Sequence, residues 1–342
     1  MHIEGRQLRA IGMVGAIAIS APAVRGAPLP LNDASGGSRG CELTTRERDW
    51  VHGSLAAWDQ IASRALLLPP ARRSEIILFD RQCAYHLDPD SAQVVGQRHG
   101  GHIALPNGQV IAPRALAFAS LATGDSTTFL VMALRSVWES DTTLADEDWD
   151  EFLTRSFIHE MTHTRQLPLL VTRLRAAGGL VGMRDVDDDI VQERFDSSAA
   201  FRASVARETS LLYQAAMSRN GPDRRRYARQ AVDVMKRRRE QFFGGEAAPW
   251  AFVEQLMLDL EGAAAFAEVA YLHTRSGRQP LQDLVERVRG DAGFWSQDEG
   301  LALFLVLDAL RSDWPRETFT AEPRSALDLI EDSLAGGRAS AP

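Results

Sequence analysis

Two histidines and a glutamate near the middle of the chain have the spacing of a metal site. Residues 156–163 read SFIHEMTH, so His159 and His163 lie four positions apart and Glu160 follows the first of them. On a helix, residues i and i+4 share one face and lie one turn apart, so both imidazoles can bind a single ion. Neutral imidazole is a good ligand for zinc. The pattern therefore predicts Zn²⁺ held by His159 and His163.

Glu160 is the residue to which this pattern assigns proton transfer. The position after His159 projects about 100° further round the helix, so we expect its carboxylate to reach a zinc-bound water without being a ligand. Zinc lowers the pKa of such a water, and a nearby carboxylate can take its proton as the water attacks a carbonyl. We predict that Glu160 is the general base of a metal-assisted hydrolysis.

The segment resembles the active-site helix of the zincin metallopeptidases, whose H-E-x-x-H motif supplies two zinc ligands and the general base. The likeness covers a short stretch of the chain. Leu153, Phe157 and Met161 form an apolar back face, with which the helix could pack on a sheet. The resemblance implies a metal helix lying across a small sheet. It also implies a peptidase that acts on a peptide or protein substrate.

Glu261 is the first choice for a third zinc ligand, which a catalytic zinc ion usually requires. The metzincin continuation H-x-x-G-x-x-H is absent, because Thr-Arg-Gln follows His163. The helix around Glu261 is apolar on nearly all sides from 256 to 272, and a carboxylate buried there needs a charge partner. The arrangement resembles that of the gluzincins, in which a glutamate of a second helix completes the site. Small residues after Glu261 would let two helices approach closely.

Other interpretations of the acidic residues stay open at this point. Glu208 is the second candidate for the third ligand because its helix is closer in sequence to the motif, and Glu193 is another. Glu254, Glu261 and Glu268 recur every seven residues, so they could instead form a solvated stripe.

No oxyanion donor and no second metal site are assigned from the sequence. Tyr271 and His273 follow Glu261, and Tyr213 follows Glu208, but packing is the commoner role for such residues. His99 and His102 have loose ligand spacing, and the two glycines between them favour a turn.

The surrounding pattern predicts an α+β protein, in which a small mixed or antiparallel sheet precedes a predominantly helical region. Short apolar or β-branched runs separated by turn signals predict the sheet, and 3.6-residue periodicity predicts the helices. The predicted strands are 75–79, 101–105, 109–112, 116–119 and 127–133. The predicted helices are 45–67, a long helix opened by acidic residues 146–151, and 187–218, 222–242, 248–275, 279–289, 298–312 and 323–334.

The predicted regions are a signal peptide at 1–27, a flexible leader at 28–44, an N-terminal helix with the small sheet at 45–140, and the helical region at 141–342. Arg6 and Arg9 precede a short apolar stretch, which indicates export to the periplasm or the medium. In such a compartment Cys41 and Cys83 could form a disulfide, whereas in the cytosol they would be two unrelated thiols.

The net charge of −8 disfavours a nucleic-acid partner. The basic residues of 224–226 and 236–239 are interpreted as a solvated helix face. No stretch is apolar enough for stable membrane insertion, and the sequence leaves the oligomeric state and the substrate open. Two rival functions remain: a non-catalytic zinc protein, and a metal-free helical interaction protein with a chance motif.

Overall fold

The structure is a computed structural model that describes residues 40–88, 93–124, 127–142, 148–182, 189–289 and 294–336. The predicted signal peptide and most of the predicted leader lie outside the described residues. The described residues form two compact units, one of 40–58 and 70–168 and the other of 59–69 and 169–336. The predicted division of the chain at residue 140 stays a prediction.

The first unit contains a five-stranded mixed sheet and a separate two-stranded pair. The strands are β1 (Glu75–Phe79), β2 (Cys83–Asp88), β3 (Gln93–Arg98), β4 (Ile103–Ala104), β5 (Val110–Ile111), β6 (Ala117–Leu121) and β7 (Thr128–Ala133). The sheet order is β3-β2-β1-β7-β6, and β4 pairs with β5. β1 and β7 are parallel, whereas the other neighbours in the sheet are antiparallel. Both central strands are almost wholly buried, which explains their continuous apolar sequences.

Three helices contribute to the first unit. They are α1 (Thr45–Arg64), α2 (Arg135–Asp141) and α3 (Trp149–Val181). Only the part of α1 up to Trp58 and the part of α3 up to Pro168 belong to this unit. Asp150 and Glu151 in the first turn of α3 complement the positive end of the helix dipole. The Trp50 ring of α1 contacts Phe157 of α3 at a centroid separation of 6.1 Å. This contact covers Phe157, one residue of the apolar back face that the sequence predicts for the motif helix.

Pro168 lies inside α3 and is accommodated by the sheet. Proline has no backbone N–H, so the Thr164 carbonyl loses its usual donor four residues later. The Thr128 hydroxyl of β7 donates to this carbonyl at 3.2 Å. A strand residue therefore replaces the missing helix hydrogen bond and fixes α3 against β7 in the turn that carries His163.

The second unit is helical. Its helices include α4 (Ile190–Phe195), α5 (Ala199–Met217), α6 (Gly221–Phe242), α7 (Pro249–Ser276), α8 (Leu281–Arg289), α9 (Trp295–Leu310), α10 (Pro315–Thr318) and α11 (Ala326–Gly336). α7 and α9 approach closely at Gly262 and Gly300, where a Cβ on Gly262 would lie 2.5 Å from the Gly300 carbonyl oxygen. The expected close approach beside Glu261 is therefore made against α9. None of the described helices combines the length and apolar character needed to cross a membrane.

The predicted α+β class is confirmed, with local corrections. β2, β3, α2 and α10 were not predicted, and the predicted strands at 101–105 and 109–112 shrink to two residues each. β3 is an exposed edge strand with the sequence QVVGQR, so it lacks the apolar signal of a core strand. The predicted helix 187–218 is two helices, because the Ser198 side chain accepts from the Phe201 N–H and caps a new start.

Candidate metal centre

α3 brings the two motif histidines together as their spacing predicts. The Nε2 atoms of His159 and His163 lie 3.1 Å apart. Two ligands about 2.05 Å from a tetrahedral zinc ion would be separated by roughly 3.3 Å. The pair therefore has the separation that one shared ion requires. Both side chains are buried, with exposures of 2 % and 1 %.

The other ring nitrogen of His163 is also engaged. Its Nδ1 lies 2.9 Å from Oε1 of Gln166, which is one turn further along α3 and is itself buried. Gln166 was not among the site residues predicted from the sequence. The available signal was its spacing, since a residue three positions after His163 lies on the same face of the helix.

Glu160 lies in the same buried turn as the two histidines, and its side chain is fully enclosed. The neighbouring Thr162 hydroxyl donates its hydrogen to the Ile158 carbonyl of its own helix and therefore does not donate it to the Glu160 carboxylate. Glu160 is therefore a fully buried carboxylate, next to His159 in the sequence and in the same helix turn as both histidines.

Glu261 of α7 belongs to the same group. One ligand atom from each of His159, His163 and Glu261 can be chosen so that all lie within 4.8 Å of one another, and all three residues are buried. Within the part of the chain that the structure describes, this is the one such group of three or more histidine, cysteine or acidic residues. Two imidazoles and one carboxylate form a donor set typical of catalytic zinc, so the residues fit this ion.

The alternative of a solvated acidic stripe on α7 is wrong. Glu254, Glu261 and Glu268 are 5 %, 0 % and 2 % exposed. Glu208, the second candidate ligand, is also buried but binds Arg238 of α6 instead of the histidines. Glu193 lies exposed on α4.

The remaining sequence candidates lie elsewhere. His99 Nε2 is 3.1 Å from the Asp80 carbonyl oxygen, and His102 is exposed. Among the described residues, neither histidine belongs to a group of three or more residues that could hold a metal ion. The Tyr213 hydroxyl donates to Asp298 at 2.8 Å, and the Tyr271 hydroxyl accepts from Arg275 at 3.0 Å.

The second unit contains a buried charge cluster that was not predicted from the sequence. Arg238 is fully enclosed and binds Glu208 and Glu254, and its Nη2 lies 3.7 Å from Glu299. The interpretation of 236–239 as a solvated face is therefore wrong at Arg238. The available signal was that Arg238 follows Ala231, Val234 and Met235 at helical spacing, on the apolar face of α6.

The carboxylates of this cluster titrate differently because their charge partners differ. Burial raises the pKa of Glu208 to about 7, against the opposing attraction of Arg238. Burial, together with the neighbouring carboxylate of Glu208, raises the pKa of Glu299 well above its ordinary value. Burial also acts on Glu254, but Arg238 and Arg239 outweigh it and hold the pKa of Glu254 below its ordinary value.

Cys41 and Cys83, whose state the sequence left open, form a disulfide. The bond connects the segment before α1 to the start of β2. Gly96 of β3 allows the Cys41 backbone to pass close by, because a Cβ on Gly96 would lie 2.1 Å from the Cys41 carbonyl oxygen.

No family model, no curated protein and no solved structure matches this chain.

Proposed function

We propose that this protein is a zinc-dependent hydrolase that acts on peptide bonds. His159, His163 and Glu261 are the zinc ligands, and Glu160 is the general base. The observation that carries the proposal is the buried group of two imidazoles and one carboxylate. The choice of the peptide bond rests on the resemblance of the H-E-x-x-H helix to that of the zincins.

Each residue has a separate task in this proposal. His159 and His163 present their Nε2 atoms from one helix face, and Glu261 adds the negative charge that balances part of the ion's charge. A zinc ion bound there supplies Lewis-acid chemistry, which acidifies water and polarises a carbonyl group. Glu160 takes a proton on its carboxylate and delivers it to the leaving amine. Its side chain is fully buried, in the same helix turn as the two histidines.

A second candidate function is a non-catalytic zinc protein. The burial of the three proposed ligands and of Glu160 favours it, because all four side chains are at most 2 % exposed and structural zinc sites are closed to solvent. Glu160 separates the two functions. Zinc binding does not need this residue, whereas hydrolysis does.

The test begins with the zinc content of the purified chain, compared with that of the His159→Ala/His163→Ala double variant. About one zinc per chain, lost in the double variant, is expected for either zinc function. Glu160→Gln should keep zinc but lose hydrolysis of a peptide library by a factor of about 100 or more. Zinc without any peptidase activity in the wild type would favour the non-catalytic function.

The third ligand is tested in the same assay. Glu261→Ala should weaken zinc binding, whereas Glu208→Ala should leave it unchanged because Glu208 binds Arg238. If Glu208→Ala weakened zinc binding more than Glu261→Ala, Glu208 would be the third ligand instead of Glu261. Absence of zinc from the wild type, even after the metal is added back, would refute both zinc functions and leave the metal-free helical interaction protein.

We also propose that the chain works outside the cytosol. The support is the disulfide between Cys41 and Cys83, since such bonds persist in oxidising compartments, together with the signal-like N-terminal sequence. Mass spectrometry of the protein from the periplasm or medium should show a start near residue 24 or 28. An intact N-terminus on a cytosolic protein would contradict this localisation.

A further inference from the structure

The two ring nitrogens of His163 have different partners. Nε2 lies 3.1 Å from Nε2 of His159, and Nδ1 lies 2.9 Å from Oε1 of Gln166. An amide oxygen can only accept, so the hydrogen of the neutral imidazole lies on Nδ1 and the lone pair lies on Nε2. The opposite orientation of the amide would place the hydrogen on Nε2, where it would block a metal ion.

We propose that Gln166 is a positioning residue that holds His163 in the tautomer and ring orientation needed to bind zinc through Nε2. This inference rests on the proposed function, because it gives His163 a zinc ligand's role. Gln166 itself would not contact the ion. It acts through the hydrogen bond to Nδ1, and such bonds both fix the ring and make the imidazole a better donor.

The geometry of α3 explains why a residue at this position can do so. Gln166 follows His163 by three positions, so its side chain lies one turn away on the same helix face. The Gln166 side chain is restricted by packing, since the residue is only 4 % exposed. The turn is further fixed by the bond from Thr128 to the Thr164 carbonyl. A rigid backbone and a buried acceptor together define the ring plane of His163.

The variants separate this role from packing. Gln166→Met keeps the length of the side chain but removes the acceptor, whereas Gln166→Glu keeps an acceptor and strengthens it with a charge. Thr162→Val is the matched control, because Thr162 is buried in the same helix and its hydroxyl donates to the Ile158 carbonyl. It therefore removes one buried hydrogen bond next to His163 without touching the ring.

The experiment measures the zinc dissociation constant of each full-length protein by competition with a chromogenic chelator. Thermal unfolding of the metal-free proteins is measured alongside it. We expect Gln166→Met to weaken zinc binding by roughly 10- to 100-fold. Gln166→Glu should bind zinc at least as tightly as the wild type, and Thr162→Val should stay within about threefold. The absorption bands of the cobalt-substituted protein should shift in Gln166→Met and not in the control.

The outcomes distinguish the inference from the function beneath it. If the wild type binds no zinc, both the proposed function and the positioning role of Gln166 are refuted. If the wild type binds zinc and Gln166→Met binds it equally well, the positioning role is refuted while the zinc site stands. If Gln166→Met does not fold, Gln166→Glu decides. Retained or tighter binding supports the role, and a folded Gln166→Glu that binds zinc more than tenfold more weakly overturns it.

Discussion

Replacing Arg238 by methionine should strongly destabilise the second unit. The guanidinium is fully enclosed, binds Glu208 and Glu254, and has Nη2 3.7 Å from Glu299. It also lies over the Phe201 ring, 4.8 Å from the centroid. Methionine fills much of the same space, so the main loss is the positive charge that three buried carboxyl groups share.

The magnitude follows from the charges left behind. Removing one partner of a buried ion pair costs about 3–5 kcal/mol, because an uncompensated charge remains in the interior. Glu208 can reduce this cost by binding a proton, since burial already raises its pKa to about 7 with Arg238 present. The loss should therefore be greater at pH 8, at about 4 kcal/mol, than at pH 6.

Urea unfolding followed by circular dichroism, with EDTA present, measures this change at both pH values. Lys236→Met is the control on the same helix, because Lys236 pairs with Glu331 at 2.8 Å while 51 % and 35 % exposed. An exposed pair contributes at most about 1 kcal/mol. Equal losses of unfolding free energy in the two variants would refute the reasoning, and so would a loss from Arg238→Met that is the same at both pH values.

Three further predictions concern packing, titration and covalent constraint. Gly262→Ala should lower the free energy of unfolding by about 1–3 kcal/mol, because a Cβ there meets the Gly300 backbone at 2.5 Å, and an unchanged melting temperature would contradict this. Folding raises the pKa of Glu208 from 4.5 to about 7, so the folded chain binds a proton that the unfolded chain releases and stability should fall as pH rises through this window. Urea unfolding across this pH range should show a fall in the free energy of unfolding that is smaller in Glu208→Gln than in the wild type, by roughly 3 kcal/mol, and identical pH slopes would refute the shift. The Cys41→Ser/Cys83→Ser variant should lose about 4 kcal/mol, since the bond closes a loop with a sequence separation of 42, and reductant should affect the wild type alone.

The sequence alone determined the features that depend on local spacing. H-E-x-x-H on an uninterrupted helical pattern brings His159 and His163 to one face, because neighbours on a helix are set by its periodicity. The same periodicity located most helices, and apolar runs located the central strands β1 and β7. The α+β class follows from these elements. The roles of the ligands and of Glu160 stay predictions.

Only the tertiary structure shows which partners the buried glutamates have. The sequence ranks Glu261 above Glu208 as a ligand, because the helix of Glu261 is apolar on nearly all sides, but it does not exclude Glu208. Their partners differ because α6 brings Arg238 to Glu208, while Glu261 is grouped with the two histidines. Similar long-range contacts decide the pairing of Cys41 with Cys83, the edge strand β3 and the carboxylate partners of Arg238. A contact between residues distant in sequence is decided by how whole elements pack, and the pattern within one element does not contain that information.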